Sequence, residues 1–236
     1  MKIFATIRFY WGSFVISFIA AVIIIPLLFV LPKHKGAILH YMNRLMLILI
    51  GGKVIKEGER DPDADMVLMN HQGIIDIISM EAIEQTNMRW VAKKELFDAP
   101  WFGNVLKLGE MISIDRQSRA GLLKLLRDAK ETVNAKERAI AIFPEGTRAE
   151  NQTLLSFKAG AGMIAKKLKL RVQPVVITGS KLLLNEHIKT AHKSTVKIKY
   201  LPAFDIEESD ENWYEKVAQD MQKAIDEELT KYGRAR

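Results

Sequence analysis

An apolar run near the N-terminus constrains this 236-residue chain more than any other feature. Residues 9–31 carry no charged side chain over 23 positions. As a helix they would be about 34 Å long, enough to cross a hydrocarbon core of about 30 Å. Basic residues stand on both sides of the run, so the positive-inside rule assigns no orientation. These residues are Lys2, Arg8, Lys33, His34 and Lys35.

A second apolar segment, residues 37–50, carries its polar side chains His40, Asn43 and Arg44 in its first half, which is typical of an interfacial helix. Two arrangements fit: the first segment spans the bilayer once, or both segments form a hairpin in one leaflet. The symmetrical charges favour the hairpin. A cleaved signal peptide fits less well, because the run exceeds a usual h-region and no A-x-A-like site ends it. A buried helix of a soluble protein is the remaining alternative.

The charge balance and the absence of cysteine narrow the chemistry. Thirty-five basic against 28 acidic residues give a net charge of +7, which favours an anionic partner such as a membrane surface, an acidic carrier protein, a phosphorylated substrate or nucleic acid. The lack of cysteine excludes disulfides, thiolate nucleophiles and cysteine-based metal sites. The histidines fall at no spacing useful for a metal. The basic residues are dispersed without a stacking motif, which argues against nucleic acid.

Beyond residues 51–52 the chain alternates strand-like and helix-like stretches, which predicts an α/β domain with a mixed, largely parallel sheet flanked by helices. We therefore predict an N-terminal membrane-anchoring two-helix segment over residues 1–50 and an α/β domain over 51–236. The predicted strands are 53–57, 66–69, 89–92, 111–114, 139–143, 171–177 and 195–200; the predicted helices are 74–85, 101–108, 119–134, 157–168 and 212–231.

The strand at 66–69 leads directly into a histidine that has an acid nearby in sequence. On one continuous helix, the five-residue spacing of His71 and Asp76 would separate their side chains by about 140°. If His71 lies in the turn after the strand and Asp76 in the first helical turn, the two can meet, and Gly73 gives that turn conformational freedom. Asp76 would then accept the Nδ1 proton and leave Nε2 free as a general base. A histidine satisfied in the core is the alternative.

Three further groups of residues follow other predicted strands, where ligands of α/β folds gather. Residues 143–148 read Phe-Pro-Glu-Gly-Thr-Arg, in which Gly146 permits close backbone approach, Thr147 offers a hydroxyl and Arg148 a planar fork for phosphate. A strand at 111–114 ends in Asp115-Arg116, and Lys93-Lys94 follows another strand. Taken singly, each also fits an ordinary loop, a structural ion pair or a solvated surface.

Four blocks of the sequence together resemble the glycerolipid acyltransferase superfamily, most closely its bacterial 1-acylglycerol-3-phosphate acyltransferase branch. The blocks are N-H-x-x-x-x-D at 70–76, a G-x-x-x-I-D-R-like block at 109–116, F-P-E-G-T-R at 143–148 and an apolar strand around Pro174. They stand in the family's order and cover about residues 50 to 180.

The resemblance implies an enzyme of phospholipid biosynthesis on the cytoplasmic side of a cell membrane. It implies that His71 deprotonates the 2-hydroxyl of lysophosphatidic acid while Asp76 orients it, with no metal and no cofactor. The acyl donor would be a thioester of acyl carrier protein or coenzyme A. The residues implied to hold the glycerol-phosphate end are Lys93, Arg116, Glu145, Gly146, Thr147 and Arg148.

Other functions fit parts of the same pattern. Relatives that acylate another lysophospholipid or glycerol 3-phosphate share the four blocks, although the complete block at 143–148 favours the lysophosphatidate branch. A non-catalytic membrane-binding module would account for the net charge and the N-terminal segments but not for the ordered blocks at strand ends. A hydrolase would use His71 to activate water.

Overall fold

The computed structural model describes residues 2–86, 88–116 and 118–232, and within them the chain forms one eight-stranded sheet. The strand order is β1-β7-β6-β2-β5-β3-β4, with β8 beside β6. The five strands β6, β2, β5, β3 and β4, which are adjacent in this order, all run parallel to one another. By contrast, β7 and β8 are antiparallel to β6. The mixed, largely parallel sheet is thus confirmed. The strands are β1 (Gly52–Glu57), β2 (Met66–Met69), β3 (Arg89–Lys93), β4 (Ile112–Ile114), β5 (Ile140–Ile142), β6 (Arg171–Thr178), β7 (Ser194–Tyr200) and β8 (Phe204–Asp205).

Ten α-helices flank the sheet within the described ranges, and a π-helical turn (Ile19–Ile24) joins the first two of them. The five helices predicted beyond residue 51 are present, with ends that move by at most two residues, whereas the helix predicted from the apolar run at 9–31 already begins at Lys2. The short helices α5 and α9, and the strand β8, are not in the predicted set. The helices are α1 (Lys2–Phe18), α2 (Ile25–Val30), α3 (Lys35–Ile50), α4 (Ile74–Ile83), α5 (Lys94–Phe97), α6 (Phe102–Leu108), α7 (Arg119–Ala135), α8 (Ala159–Leu168), α9 (Ser180–Leu183) and α10 (Trp213–Tyr232).

The central strand β2 is buried on both faces, and its alternate side chains enter two different cores. Val67 and Met69 pack with the core beneath α1, α3 and α4, whereas Met66 and Leu68 pack with the core beneath α7, α8 and α10. A strand covered on both faces requires an unbroken apolar run, which is what these four residues supply. The sheet therefore lies between two helical layers.

The N-terminal helices form an antiparallel hairpin that packs on the sheet. The start of α1 meets the end of α3, where Arg8 Nη2 donates to the carbonyl of Ile50 (3.1 Å) and Trp11 Nε1 to that of Leu49 (3.3 Å). Among the described residues, the continuous helix Lys2–Val30 alone is long and apolar enough to cross a membrane by length and composition.

The buried side chains of this hairpin share a core with the sheet, for example Ile24 and Met46 with Val67. The division at residue 50 stays a prediction, but residues 2–50 are built into the same packed body as the strands.

Candidate active site

The loop after β2 is held in place by a side chain that continues the sheet. Regular pairing of β2 with β6 ends at Met69 and Val175. Beyond it, Asn70 Nδ2 donates to the carbonyl of Ile177 (2.8 Å), and Asn70 Oδ1 accepts the Ile177 N–H (2.7 Å). Asn70 is 2% exposed, so this two-way contact is shielded from water. The chain is therefore fixed immediately before His71.

His71 and Asp76 meet through a turn and a helix start, as the sequence predicted. His71 lies in the loop, and Asp76 is the third residue of α4. His71 Nδ1 lies 2.9 Å from Asp76 Oδ2. The Asp76 side chain is 0% exposed, whereas that of His71 is 13% exposed. Only the imidazole is therefore open to a substrate, and among the described residues it forms no hydrogen bond through Nε2.

Asp76 also organises the backbone of the turn. Its Oδ2 accepts the N–H groups of Gln72 (2.6 Å) and Gly73 (2.9 Å). Both donors directly precede α4 and have no acceptor within the helix, so the Asp76 carboxylate supplies one. Gly73 itself is extended, with φ 178°, so the turn does not use the conformational freedom that was predicted for this glycine. An added Cβ would lie 3.5 Å from Glu186 Oε1, which is an ordinary contact.

Aromatic side chains fix the plane of the imidazole. The rings of His71 and Phe143 stack with centroids 3.8 Å apart and planes 12° apart. The ring of Trp90 in turn stacks on that of Phe143, with centroids 5.3 Å apart. Trp90 is itself held in place, because its Nε1 donates to Glu81 Oε1 (2.6 Å). Together with the bond to Asp76, this stack limits rotation of the His71 side chain.

The loop after β5 locks onto the loop that carries His71. Glu145 is 1% exposed, and its two oxygens accept the N–H groups of His71 (2.7 Å) and Leu155 (2.8 Å). The Ala149 N–H donates back to the His71 carbonyl (2.8 Å). Burial raises the pKa of Glu145, and these two N–H donors oppose that rise. Glu145 thus holds the backbone at His71 and Leu155 in place. Its contact with the substrate stays a prediction.

Arg116 lies against the same loop. Its Nη1 donates to the carbonyl of Gly146 (2.5 Å), and Gly146 has φ +72°, in the left-handed region that favours glycine. A Cβ at Gly146 would lie 2.5 Å from Arg116 Nη1 and 3.3 Å from Lys158 Cγ. Burial lowers the pKa of Arg116. The glycine is therefore needed both for the backbone conformation and for close approach of the arginine.

Four cationic side chains surround the opening beside His71. Lys93, Arg116 and Arg148 are those predicted from the sequence, and the structure brings them to one cavity. Lys158 joins them from the start of α8 and was missed, because nothing in its local sequence marks it. Thr147 lines the same opening. Lys94, by contrast, points to Asp115, with Nζ 4.0 Å from Oδ2.

Glu186 is a second residue that the sequence did not reveal. Its Oε2 pairs with Arg148 Nη1, and its Oε1 accepts the Ile74 N–H (3.0 Å) at the start of α4. It lies 38 positions from Arg148 along the chain, within a stretch that resembles no motif.

The cavity that opens at His71 has a volume of 740 Å³ and extends inward beneath the N-terminal hairpin. Its mouth carries the cations described above, and its inner wall is mainly apolar. The inner lining includes Ile16, Ala20, Ile24, Leu39, Met46, Ile77, Ile78, Val105 and Met111. Such a space suits a ligand with an anionic head and a long apolar tail.

The geometry of the His71–Asp76 pair indicates the kind of chemistry that the site can support. A histidine oriented by a buried carboxylate, with one ring nitrogen open, is suited to removing a proton from a hydroxyl. The described residues hold no cluster of three or more His, Asp or Glu side chains arranged to bind a metal. Such an arrangement would suit general-base chemistry on a substrate with an anionic head and an apolar tail.

Comparisons with known proteins narrow this class to a family. The family described as Acyltransferase matches residues 55–178. The chain is 38% identical to a 1-acyl-sn-glycerol-3-phosphate acyltransferase of Helicobacter pylori over 74% of both chains, and 31% identical to one of Escherichia coli over 74% of this chain and 71% of that protein. The chain belongs to the acyltransferase family.

The fold agrees with a solved structure. The 1-acyl-sn-glycerophosphate (LPA) acyltransferase, PlsC, from Thermotoga maritima superposes with a TM-score of 0.79 at 21% identity, covering 95% of this chain and 96% of that one. At that identity the likeness concerns the fold, and it includes the N-terminal hairpin because nearly the whole chain is covered.

Proposed function

We propose that this enzyme transfers an acyl chain from a thioester to the 2-hydroxyl of 1-acyl-sn-glycerol 3-phosphate and so makes phosphatidic acid. The observation that carries the proposal is the position of the His71–Asp76 pair between a cationic mouth and an apolar cavity. The names of the relatives from Helicobacter pylori and Escherichia coli support this acceptor.

In the proposed reaction, His71 acts first as a base and then as an acid. Nε2 takes the proton of the 2-hydroxyl while the oxygen attacks the thioester carbonyl carbon. Asp76 holds the Nδ1 proton and stabilises the imidazolium that forms. The tetrahedral intermediate then breaks its C–S bond, and the leaving sulfur takes the proton from Nε2. The products are an ester and a free thiol, with no covalent acyl-enzyme.

The acceptor phosphate would bind at the mouth of the cavity. Arg148 and Arg116 offer guanidinium forks, and Lys93 and Lys158 offer compact charges. Thr147 adds a hydroxyl donor. Glu145 is 1% exposed, and both of its oxygens are occupied by backbone N–H groups, so it offers no donor to a phosphate. We therefore assign Glu145 to holding the loop.

The apolar part of the cavity would take an acyl chain. Burial of each methylene there stabilises the complex by about 0.8 kcal/mol, so a chain of ordinary length supplies ample binding energy. The donor is a thioester of either acyl carrier protein or coenzyme A, and no cofactor takes part.

A matrix of donors and acceptors, assayed by thiol release with the purified protein in detergent, tests the proposal. We expect thiol release to depend on lysophosphatidic acid and to exceed that with glycerol 3-phosphate or other lysophospholipids. His71→Ala should abolish transfer without unfolding the protein. Thioester consumption that needs no acceptor would instead identify a hydrolase, and an inactive wild type that still binds anionic vesicles would identify a membrane-binding module.

We further propose that the N-terminal hairpin lies in one leaflet of a cell membrane, with the sheet on the cytoplasmic side. Phe4, Phe14, Val22 and Phe29 are among its exposed apolar side chains. The turn of the hairpin is attached to the rest of the chain, since Lys35 pairs with Glu110. Because the hairpin is packed against the protein body along its length, we favour a position in the membrane interface over one that crosses the bilayer.

A further inference from the structure

Glu186 connects two parts of the site that are far apart in sequence. Its carboxylate bridges Arg148, through Oε2, and the backbone N–H of Ile74, through Oε1 at 3.0 Å. Ile74 is the first residue of α4, and Asp76 follows two positions later. One side chain thus links Arg148, which is proposed to bind the phosphate, to the helix α4, which carries Asp76.

The start of α4 needs an external acceptor, which explains why Glu186 is held there. Gly73 precedes the helix and has no side chain with which to cap it. Asp76 accepts the N–H groups of residues 72 and 73, and Glu186 accepts that of Ile74. A carboxylate at a helix N-terminus is also favoured by the helix dipole. The position of Glu186 is therefore set by the helix as well as by Arg148.

Arg148 depends on this contact for its orientation. Its side chain is 43% exposed. Among the described residues, its guanidinium forms a hydrogen bond with Glu186 and with no other residue. A free arginine side chain has about 2 kcal/mol of rotamer entropy to lose on binding a ligand. Because Glu186 occupies Nη1, the Nη2 and Nε donors stay available for a phosphate.

The loop that carries Glu186 is itself anchored. Asn185 pairs with Thr190 across the loop, and Asn185 Oδ1 accepts the N–H groups of His187 (3.0 Å) and Ile188 (3.2 Å). At the end of the loop, Ala191 N–H donates to the carbonyl of Ala5 in α1 (3.0 Å). Glu186 is thus presented from a braced loop.

We propose that Glu186 is a positioning residue that holds Arg148 at a fixed distance from the His71–Asp76 pair, so that the acceptor's phosphate and its 2-hydroxyl are placed together. The proposal rests on the proposed function, in which Arg148 binds the phosphate. Glu186 touches neither the reacting atoms nor, while it pairs with Arg148, the substrate.

A double-mutant cycle tests this role. Glu186→Gln keeps a carbonyl oxygen for the Ile74 N–H but replaces the oxygen that pairs with Arg148 by an amide. We expect Glu186→Gln to raise the KM for lysophosphatidic acid about five- to tenfold, with kcat and the KM for the thioester changed by less than about twofold. In an Arg148→Ala background, the same substitution should raise that KM no further.

Matched controls separate positioning from charge and from folding. Glu150→Gln removes the same charge from an exposed neighbour of the Arg148 loop and should leave the KM unchanged. Activity with monoacylglycerol, which has the hydroxyl but no phosphate, should be equal in wild type and Glu186→Gln. Should Glu186→Gln not fold, as judged by its Tm, Glu186→Asp keeps the charge on a shorter side chain and should itself raise the KM for lysophosphatidic acid while leaving the KM for the thioester unchanged.

Two results would overturn the role assigned to Glu186. A fall in the KM of Glu186→Gln would show that Glu186 competes with phosphate for Arg148. An undiminished rise in the Arg148→Ala background would show that Glu186 acts through another group. A different result, an Arg148→Ala protein with unchanged KM for lysophosphatidic acid, would contradict the phosphate site itself.

Discussion

Asp76 Oδ2 accepts the Nδ1 proton of His71 at 2.9 Å while it also accepts two backbone N–H groups of the same turn. One oxygen atom therefore fixes both the tautomer of the imidazole and the backbone on which it stands. The other oxygen, Oδ1, is buried and forms no hydrogen bond within the part of the chain that the structure describes.

Asp76→Asn should lower kcat by about 100-fold or more, with a much smaller change in either KM. An amide that keeps its oxygen toward the backbone donors no longer carries the charge that stabilises the imidazolium. If the amide nitrogen turns toward His71, it favours the wrong tautomer. Steady-state kinetics measure the effect, and the Tm shows whether the turn has stayed folded. Wild-type kcat in a folded Asp76→Asn protein would exclude the pair as the catalytic base.

Gly146→Ala should raise the KM for lysophosphatidic acid more than the KM for the thioester. The new Cβ would lie 2.5 Å from Arg116 Nη1, and φ at this position is +72°, so either the loop or the arginine must move. A residue other than glycine held in this conformation costs on the order of 1 kcal/mol.

Gly58→Ala is the matched control for Gly146→Ala. Gly58 has φ +77°, but its Cβ would meet Tyr200 rather than any residue of the cavity. Both variants should lose stability to a similar extent, measured as Tm, whereas only Gly146→Ala should change the acceptor KM. Equal acceptor kinetics in the two variants would contradict a special role for the Gly146–Arg116 contact.

Glu81 gives a prediction about pH. This carboxyl lies in α4, is 2% exposed and accepts from Trp90 Nε1, and burial raises its pKa from 4.5 to about 7. Between these two values the folded protein holds a proton that the unfolded chain releases. Stability should therefore fall as pH rises from 4.5 towards 7, and the loss should be complete above 7.

Glu81→Gln removes this dependence while keeping an oxygen for Trp90. Its gain in stability over wild type should grow from near zero at pH 4.5 to at most about 3 kcal/mol above pH 7. Thermal unfolding of both proteins at several pH values measures the difference. A difference that does not vary with pH would show that Glu81 is ionised throughout this range in the folded protein.

The parts of the fold that follow from local pattern were predictable. The four apolar residues of β2 and the helix that begins at Ile74 placed His71 and Asp76 in the right relation, because strand and helix periodicity are local properties. Lys93, Arg116 and Arg148 reach one mouth because each stands at or beyond the carboxyl end of a parallel strand, and these ends share an edge of the sheet.

The contacts that join distant parts of the chain were not predictable in this way. Glu186, Lys158 and the inward role of Glu145 depend on which loops meet, and no local pattern marks them. The extended backbone of Gly73 likewise depends on Asp76 accepting its N–H. Residues that are distant in sequence determine these loop contacts, whereas composition and periodicity determine only which helices and strands form.

The outer face of α1 supplies the last prediction. Phe14 and Phe18 stack on each other with centroids 5.7 Å apart and are 58% and 46% exposed. Burying such a side chain in an apolar medium stabilises by about 1.5–3 kcal/mol. The double variant Phe14→Ser/Phe18→Ser should therefore bind vesicles at least about tenfold more weakly, measured by co-sedimentation.

Leu123→Ser, at an exposed position of α7 on the opposite layer, is the control and should bind as wild type does. Because residues 2–50 share the core of the sheet, these surface substitutions test membrane binding without the unfolding that a truncation would cause. Equal binding of the double variant and the control would show that the α1 face does not contact the lipid.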